Sequence, residues 1–192
     1  MTEQQPYDVV AEHEGFELRR YPASVVAEVV VDAPFGDAGN RAFRTLLGYL
    51  TGRNRSRQGI AMTAPVLQAP ATGAPQKVAM TAPVLQQPDA DGRHVVAFVL
   101  PAAMTLDAAP EPTDPGVTLR EVPEHLAAAS RYSGRWSETA YREHEAALLD
   151  AVHAAGLTPV GAPRFARFDP PMKPWFLRRN EVVVEVGGPP AS

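Results

Sequence analysis

Apolar and polar positions alternate through the first thirty residues with a period of two. "YDVVAEH" (7–13) and "FELRRYP" (16–22) flank a break at Glu14-Gly15. "VVAEVVV", from Val25 to Val31, is β-branched and long enough to cross a sheet. After Pro34 the period changes. Phe43, Leu46, Leu47 and Leu50 stand at i, i+3, i+4 and i+7, which predicts a helix over about Asp37 to Thr51, stopped by Gly52. The stretch AMTAPVLQ then occurs twice, at 61–68 and 79–86, around a Gly/Pro-rich octapeptide. Each copy reads as a strand bent at its proline, Pro65 or Pro83, because proline has no amide to give to a ladder. The two copies together predict an antiparallel hairpin, with "RHVVAFVLP" as the next strand after the turn "PDADG". "AAPEPTDPG" is too rich in proline for any regular element.

The second half repeats the first. Leu-Arg-x-x-Pro stands at Leu18–Pro22 and again at Leu119–Pro123, an offset of 101, and each copy leads into a strand and a helix. The second helix starts after Ser137, an N-cap followed by Glu138 at the positive end of the dipole, and stops at Gly156. Its expected apolar stripe is Ala140, Ala147, Leu148, Ala151, Val152 and Ala155. "RFARFD", the loop "PPMKPWF" and a closing strand "NEVVVEV" complete the chain. The pattern predicts one domain over 1–187, with halves at about 7–101 and 117–186 and a flexible tail at 188–192. The fold class expected is α+β, two β-rich halves that each wrap one helix.

Composition narrows the function classes. With 192 residues a sizeable core is available, and 18 basic against 22 acidic residues, a net charge of −4, argue against a nucleic-acid partner. No cysteine is present, which excludes disulfides, thiolate metal sites and cysteine nucleophiles. The N-terminus has no signal-like apolar region, and no stretch reaches the roughly 20 apolar residues of a membrane span. A cytoplasmic protein without a membrane partner is expected, and the alanine and arginine bias points to a bacterial source.

Catalytic signatures are missing from the chain. It holds no G-x-S-x-G, phosphate-binding loop, dinucleotide fingerprint or H-E-x-x-H. The five histidines (13, 94, 125, 144 and 153) are scattered and read as surface or interface residues rather than as ligands. No catalytic residue and no metal site is assigned. The methionines suggest an adaptable apolar surface. Core packing is the stronger reading of Met62 and Met80, whereas Met172 lies in a loop beside Trp175 and Phe176, where a large apolar residue needs something to cover. Lys173 and Arg44 place cations near these apolar residues. A flat amphipathic acid such as a tetrapyrrole needs that combination, an apolar slot with positive charge at its rim. The arginines at 53, 55 and 57 read as a solvated loop.

The chain resembles the SOUL haem-binding proteins from "YDVVAEHEGFELRRYP" to "FLRRNEVVVEV". The resemblance rests on "IAMTAPV", "VAMTAPVLQ", "FVLP", "PEPTDPGVTLREVP" and "FDPPMKPWFLRRNEV" in that order. It implies a duplicated unit forming a distorted antiparallel β-barrel flanked by two helices, similar to bacterial effector-binding domains. It also implies reversible, non-covalent binding of haem or another tetrapyrrole as carrier, buffer or sensor, without catalysis. The pocket it implies lies between the first helix and the loop before the last strand, which carries over to Phe43, Arg44, Leu47, Met172 and Lys173. The sequence departs from the family where some relatives have basic residues, at Gly48 and Asn40. One branch has a histidine where Arg20 stands here, and arginine is no ordinary haem ligand. The alternative function is a non-haem small-molecule sensor or protein-interaction module on the same barrel. A tetrapyrrole-modifying enzyme is a third and weaker reading.

Overall fold

The computed structural model describes residues 3–56, 59–60, 63–64, 66–70, 93–169 and 172–187. The second AMTAPVLQ copy with Met80 and Pro83, and also Met62, Pro65, Arg57, the "PDADG" turn and the tail 188–192, lie outside them.

Eleven strands and two long helices follow one another along the described chain: β1 (Glu3–Gln4), β2 (Asp8–His13), β3 (Phe16–Tyr21), β4 (Ser24–Asp32), α1 (Phe35–Leu50), β5 (Thr63–Ala64), β6 (Val66–Pro70), β7 (Arg93–Val99), β8 (Val117–Val122), β9 (His125–Tyr132), α2 (Glu138–Ala154), β10 (Thr158–Arg167) and β11 (Asn180–Gly187). A 3-10 turn, Trp175–Leu177, precedes β11. Nine strands form one sheet in the order β2-β3-β9-β11-β10-β6-β7-β4-β8, antiparallel throughout, and β1 pairs with β5 in parallel as a separate two-stranded ribbon.

That order makes the duplication visible. From β3 to β8 it reads the same from either end when β3, β4, β6 and β7 are matched with β8, β9, β10 and β11. The register agrees: Arg19 lies opposite Ala127 across β3 and β9, and Arg120, 101 residues after Arg19, lies opposite Val26, 101 residues before Ala127, across β8 and β4. Among the described residues the sheet does not close, since β2 and β8 are its edges. It is a barrel opened along one seam.

Local chemistry sets the helix ends. The Ser137 hydroxyl accepts the Ala140 amide at 3.3 Å, the expected N-cap of α2. Gly52 and Gly156 follow the two helices at φ 107° and 74°, a left-handed conformation in which a Cβ would be strained. The apolar stripe of α2 differs from expectation: Tyr141, Leu148 and Val152 are buried, whereas Ala147 and Ala155 are exposed. A large ring reaches the sheet where an alanine methyl falls short, so Tyr141 sets the rotation of the helix.

Strand alternation sends successive side chains to opposite faces. Both helices cover one face. Leu46 and Tyr49 of α1 share a core cluster with Val25, Ala27, Val96 and Phe98 of the sheet, and Leu148 and Val152 of α2 share another with Ala128, Phe165, Val182 and Val184. Among the described residues the other face is bare of helix and carries Tyr21, Ala127, Ala129, Ala166 and Val183, continued by Val26, Ala97 and Val99. The proline-rich connection also packs, because the Tyr49 hydroxyl donates to the Pro110 carbonyl at 2.9 Å and Asn54 bridges Pro112.

The strand from the first AMTAPVLQ copy is central. Over Val66–Gln68, β6 is paired with β10 on one side and β7 on the other. With both edges occupied, a hairpin with the second copy is not what these residues form. "RHVVAFV" is the direct neighbour instead.

Candidate functional site

Phe43 and Leu47 lie half-buried on α1, with the Phe43 ring 5.5 Å from Phe98 in an edge-on contact, while Arg44 between them is exposed. Met172 is 89% exposed at the start of the loop before β11, and Trp175 (48%), Phe176 (57%) and Leu177 (58%) project from the same short segment. Four exposed large apolar side chains therefore lie close together in sequence on this loop.

A row of cations and rings connects α1 to that loop. Gly39, one turn before Phe43, lies against Arg167 so closely that a Cβ there would stand 2.6 Å from Nη1. The Arg167 guanidinium lies 4.9 Å over the Trp136 ring and 4.9 Å over Phe165, and its Nη2 donates to Gln68 Oε1 at 2.9 Å. Arg178 covers Trp136 at 4.3 Å and donates from Nε to the Lys173 carbonyl at 2.7 Å. Trp136 is held in place by its own indole N–H, which donates to Asn180 Oδ1 at 2.9 Å. The pieces come from β10, β11, α1 and the β9–α2 connection, which explains why sequence reasoning missed Arg167, Trp136 and Arg178. The only signal was the aromatic spacing of "RFARF".

Arg167 is 6% exposed and has no carboxylate partner among the described residues. Burial brings its pKa down to about 10, and its Nε has no hydrogen-bond partner. Cation–π contact and Gln68 replace part of the lost hydration. Tyr132, stacked on His144 with ring centroids 3.9 Å apart, likewise buries a hydroxyl without a partner, and burial pushes its pKa up.

Lys173 is already engaged. Its Nζ lies 2.7 Å from Asp169 Oδ1, while Asp169 Oδ2 accepts the Arg179 amide at 2.6 Å. Burial would raise the Asp169 carboxyl, but the Arg179 amide and the Lys173 ammonium together hold it below its ordinary value. Lys173 thus clamps the loop to the end of β10. At the other candidate positions, Gly48 lies against the Arg53 side chain, with a hypothetical Cβ 2.9 Å from Cδ, so a basic residue could not replace it without displacing Arg53.

The bare face carries a second arrangement. Glu181, 0% exposed, accepts from Arg19 at 2.7 and 3.2 Å and from Arg179 at 2.9 and 2.7 Å, so two guanidiniums share one carboxylate. Arg19 lies 4.2 Å over Tyr7, and Arg179 lies 4.1 Å over Phe168. Despite its burial, the Glu181 contact keeps the Arg19 pKa above the ordinary arginine value. Beside this network a cleft of about 20 Å³ opens between β3, β4 and β8 to β11. It holds about one water and is far too narrow for a macrocycle.

The histidines are distributed over the fold. His13 stacks on Phe16, His94 meets the edge of Phe35, His125 stacks on Tyr21, His144 stacks on Tyr132, and His153 is exposed near the end of α2. Among the described residues no group of three or more His, Asp or Glu could hold a metal ion, and no helix is long and apolar enough to cross a membrane.

The chain matches the SOUL heme-binding protein family over residues 2–185. It belongs to that family. No curated protein sequence matches this SOUL chain significantly. Among solved structures, the C-terminal domain of EcmrR superposes with a TM-score of 0.64 at 11% identity, over 94% of this chain and 98% of that one. An uncharacterized conserved protein from Listeria innocua gives 0.61 at 12% identity, over 88% and 92%. A protein described as a hydrolase from Listeria innocua gives 0.59 at 13% identity, over 93% and 94%. At these identities the likeness shows a fold that this SOUL protein shares with them and nothing of activity.

Proposed function

We propose that this protein binds haem or a related tetrapyrrole reversibly and without covalent attachment, at the junction of α1 and the loop over 172–178, as a carrier, buffer or sensor. Family membership supports the ligand class. The single structural observation that carries the location is the exposed Met172, Trp175, Phe176 and Leu177 on one short segment beside a row of guanidiniums. Such a loop offers apolar contact to one face of a macrocycle. Arg44, exposed on α1, and Arg135, 5.4 Å over the Trp175 ring, are the cations placed to meet propionates. Lys173 contributes through the loop clamp. The histidine positions favour a site that reads the macrocycle rather than the iron, so haem and metal-free protoporphyrin should bind with similar affinity.

Titration with both ligands, followed by the Soret band and by quenching of Trp175, tests this reading. Saturable 1:1 binding of each, weakened about tenfold or more by Leu47→Glu combined with Met172→Glu, is the expected result. Unchanged affinity in a folded double variant would move the site elsewhere. Tight binding of haem alone would require an axial ligand. We read the protein as a binder rather than an enzyme, and turnover of a metalloporphyrin would overturn that. The second reading, a small-molecule sensor, draws on the cleft of the bare face.

A further inference from the structure

The cleft on the bare face has a distinct charge balance. Its one lining carboxylate, Glu181, is already shared by Arg19 and Arg179. Its remaining charged residue is Arg164, on the cleft face of β10. Arg164 is half-buried, and among the described residues no carboxylate lies within ion-pair distance of it. Glu185 on the same face acts on it only from farther away, and Arg120, itself paired with Glu28 at 3.2 Å, opposes it.

Among the described residues the side-chain partner of Arg164 is His125, whose Nε2 lies 3.3 Å from Nη2. His125 Nδ1 is 2.9 Å from the Pro123 carbonyl, an acceptor only, so Nδ1 carries the proton and Nε2 accepts from Arg164. A neutral acceptor does not compensate the guanidinium. The other polar groups of the cleft are donors in waiting. Ser24 Oγ is buried without a partner among the described residues. The Tyr21 hydroxyl accepts from Arg19 at 3.1 Å and the Tyr7 hydroxyl from Arg179 at 3.4 Å, which leaves each O–H able to donate. Tyr7 and Tyr21 lie 5.5 Å apart, and Phe168 and the stacked His125 add flat apolar walls.

We propose that this cleft is a binding site for a small planar carboxylate, whose anionic group pairs with the Arg164 guanidinium and accepts from the surrounding hydroxyls, while its ring rests on the tyrosine walls and projects from the mouth. With room for about one water, the cleft of about 20 Å³ admits the oxygen end of a carboxylate, leaving the ring outside at the mouth, and excludes a macrocycle. A cation is disfavoured because the only lining carboxylate is saturated. The site lies on the face of the sheet opposite the two helices, and so goes beyond the tetrapyrrole reading.

Benzoate, benzamide and benzamidinium are the probes, titrated into the full chain by NMR and calorimetry. Saturable binding of benzoate alone, weakened about tenfold or more by Arg164→Gln, is the expected result. Arg164→Lys keeps the charge and should retain part of the affinity, and Ser24→Ala should lose a smaller part. If Arg164→Gln fails to fold, the ligand series and Ser24→Ala still decide the matter. Benzamidinium binding as tightly as benzoate, benzoate binding that ignores Ser24 and Arg164, or no saturable binding of any probe would each overturn the proposal. A free carboxylate is separated from a propionate by competition: benzoate should bind equally well with haem present, and its displacement by haem would overturn a separate site.

Discussion

Two arginines three residues apart on β10 face opposite ways, and the contrast between them separates the two sides of this protein. Arg167 turns toward the helices, where Trp136, Phe165, Gln68 and the bare backbone of Gly39 enclose it. Arg164 turns toward the cleft, where it meets a neutral histidine and hydroxyls that can still donate. The first is packed in place; the second is left with charge to spend. A buried cation that is wrapped in rings supports the fold, whereas one that borders an opening can serve a ligand.

The largest effect should come from the carboxylate between Arg19 and Arg179. Glu181→Ala leaves two guanidiniums facing each other in a buried network, and a loss of about 3–5 kcal/mol in urea unfolding is expected. The matched change at the open edge, Glu28→Ala opposite exposed Arg120, should cost below about 1 kcal/mol. Equal losses would mean that the two sides are not energetically distinct.

Next in size is the Gly39 contact. Gly39→Ala must displace the buried Arg167 guanidinium, for about 1–3 kcal/mol. Gly36→Ala, in the same helix with nothing within 4 Å, should stabilise by about 0.4–1 kcal/mol. If Gly39→Ala were neutral, Arg167 would not be locked against α1.

The smallest effect concerns pH. Burial holds His94, beside Phe35 on the helix-covered face, below its ordinary pKa, and nearby Arg142 and Arg167 add to this while Glu138 opposes it. The unfolded chain therefore takes up this proton first as pH falls below about 6.5, so the stability contributed here is complete above that pH and declines beneath it. Comparing urea midpoints at pH 8 and 5.5 for the native chain and His94→Phe should show a smaller drop in the variant. At the loop before β11, Asp169 is held below its ordinary value, so its clamp on Lys173 should persist until pH falls through and below the usual aspartate range. A loop released at higher pH, read from Trp175 fluorescence, would break the comparison.

Much of the scaffold follows from local rules. Ser137 as the cap of α2, the two terminal glycines, the break at Gly15 and the Leu-Arg-x-x-Pro repeat all act over a few residues, and each appears in the fold. The rotation of α2 was less legible, because alanine spacing marks a helix face only weakly when one tyrosine can outreach several methyls. Of the proposed tetrapyrrole residues, Met172 was legible as an apolar residue stranded in a loop. Lys173 looked like a rim cation because its partner, Asp169, falls one helical turn away in a segment that is not a helix.

By itself the sequence determined the periods, the caps, the duplication and the family, all properties of neighbouring residues or of ordered motifs. Only the tertiary structure decided that Glu181 would be shared by two arginines, that Arg167 would meet Trp136 and Gly39, and that Arg164 would be left with a histidine. Those contacts join residues as many as 162 positions apart, through the β3–β9–β11–β10–β6 pairings. No local pattern encodes a charge balance, because whether a carboxylate compensates an arginine depends on which strands lie side by side and which face each side chain takes.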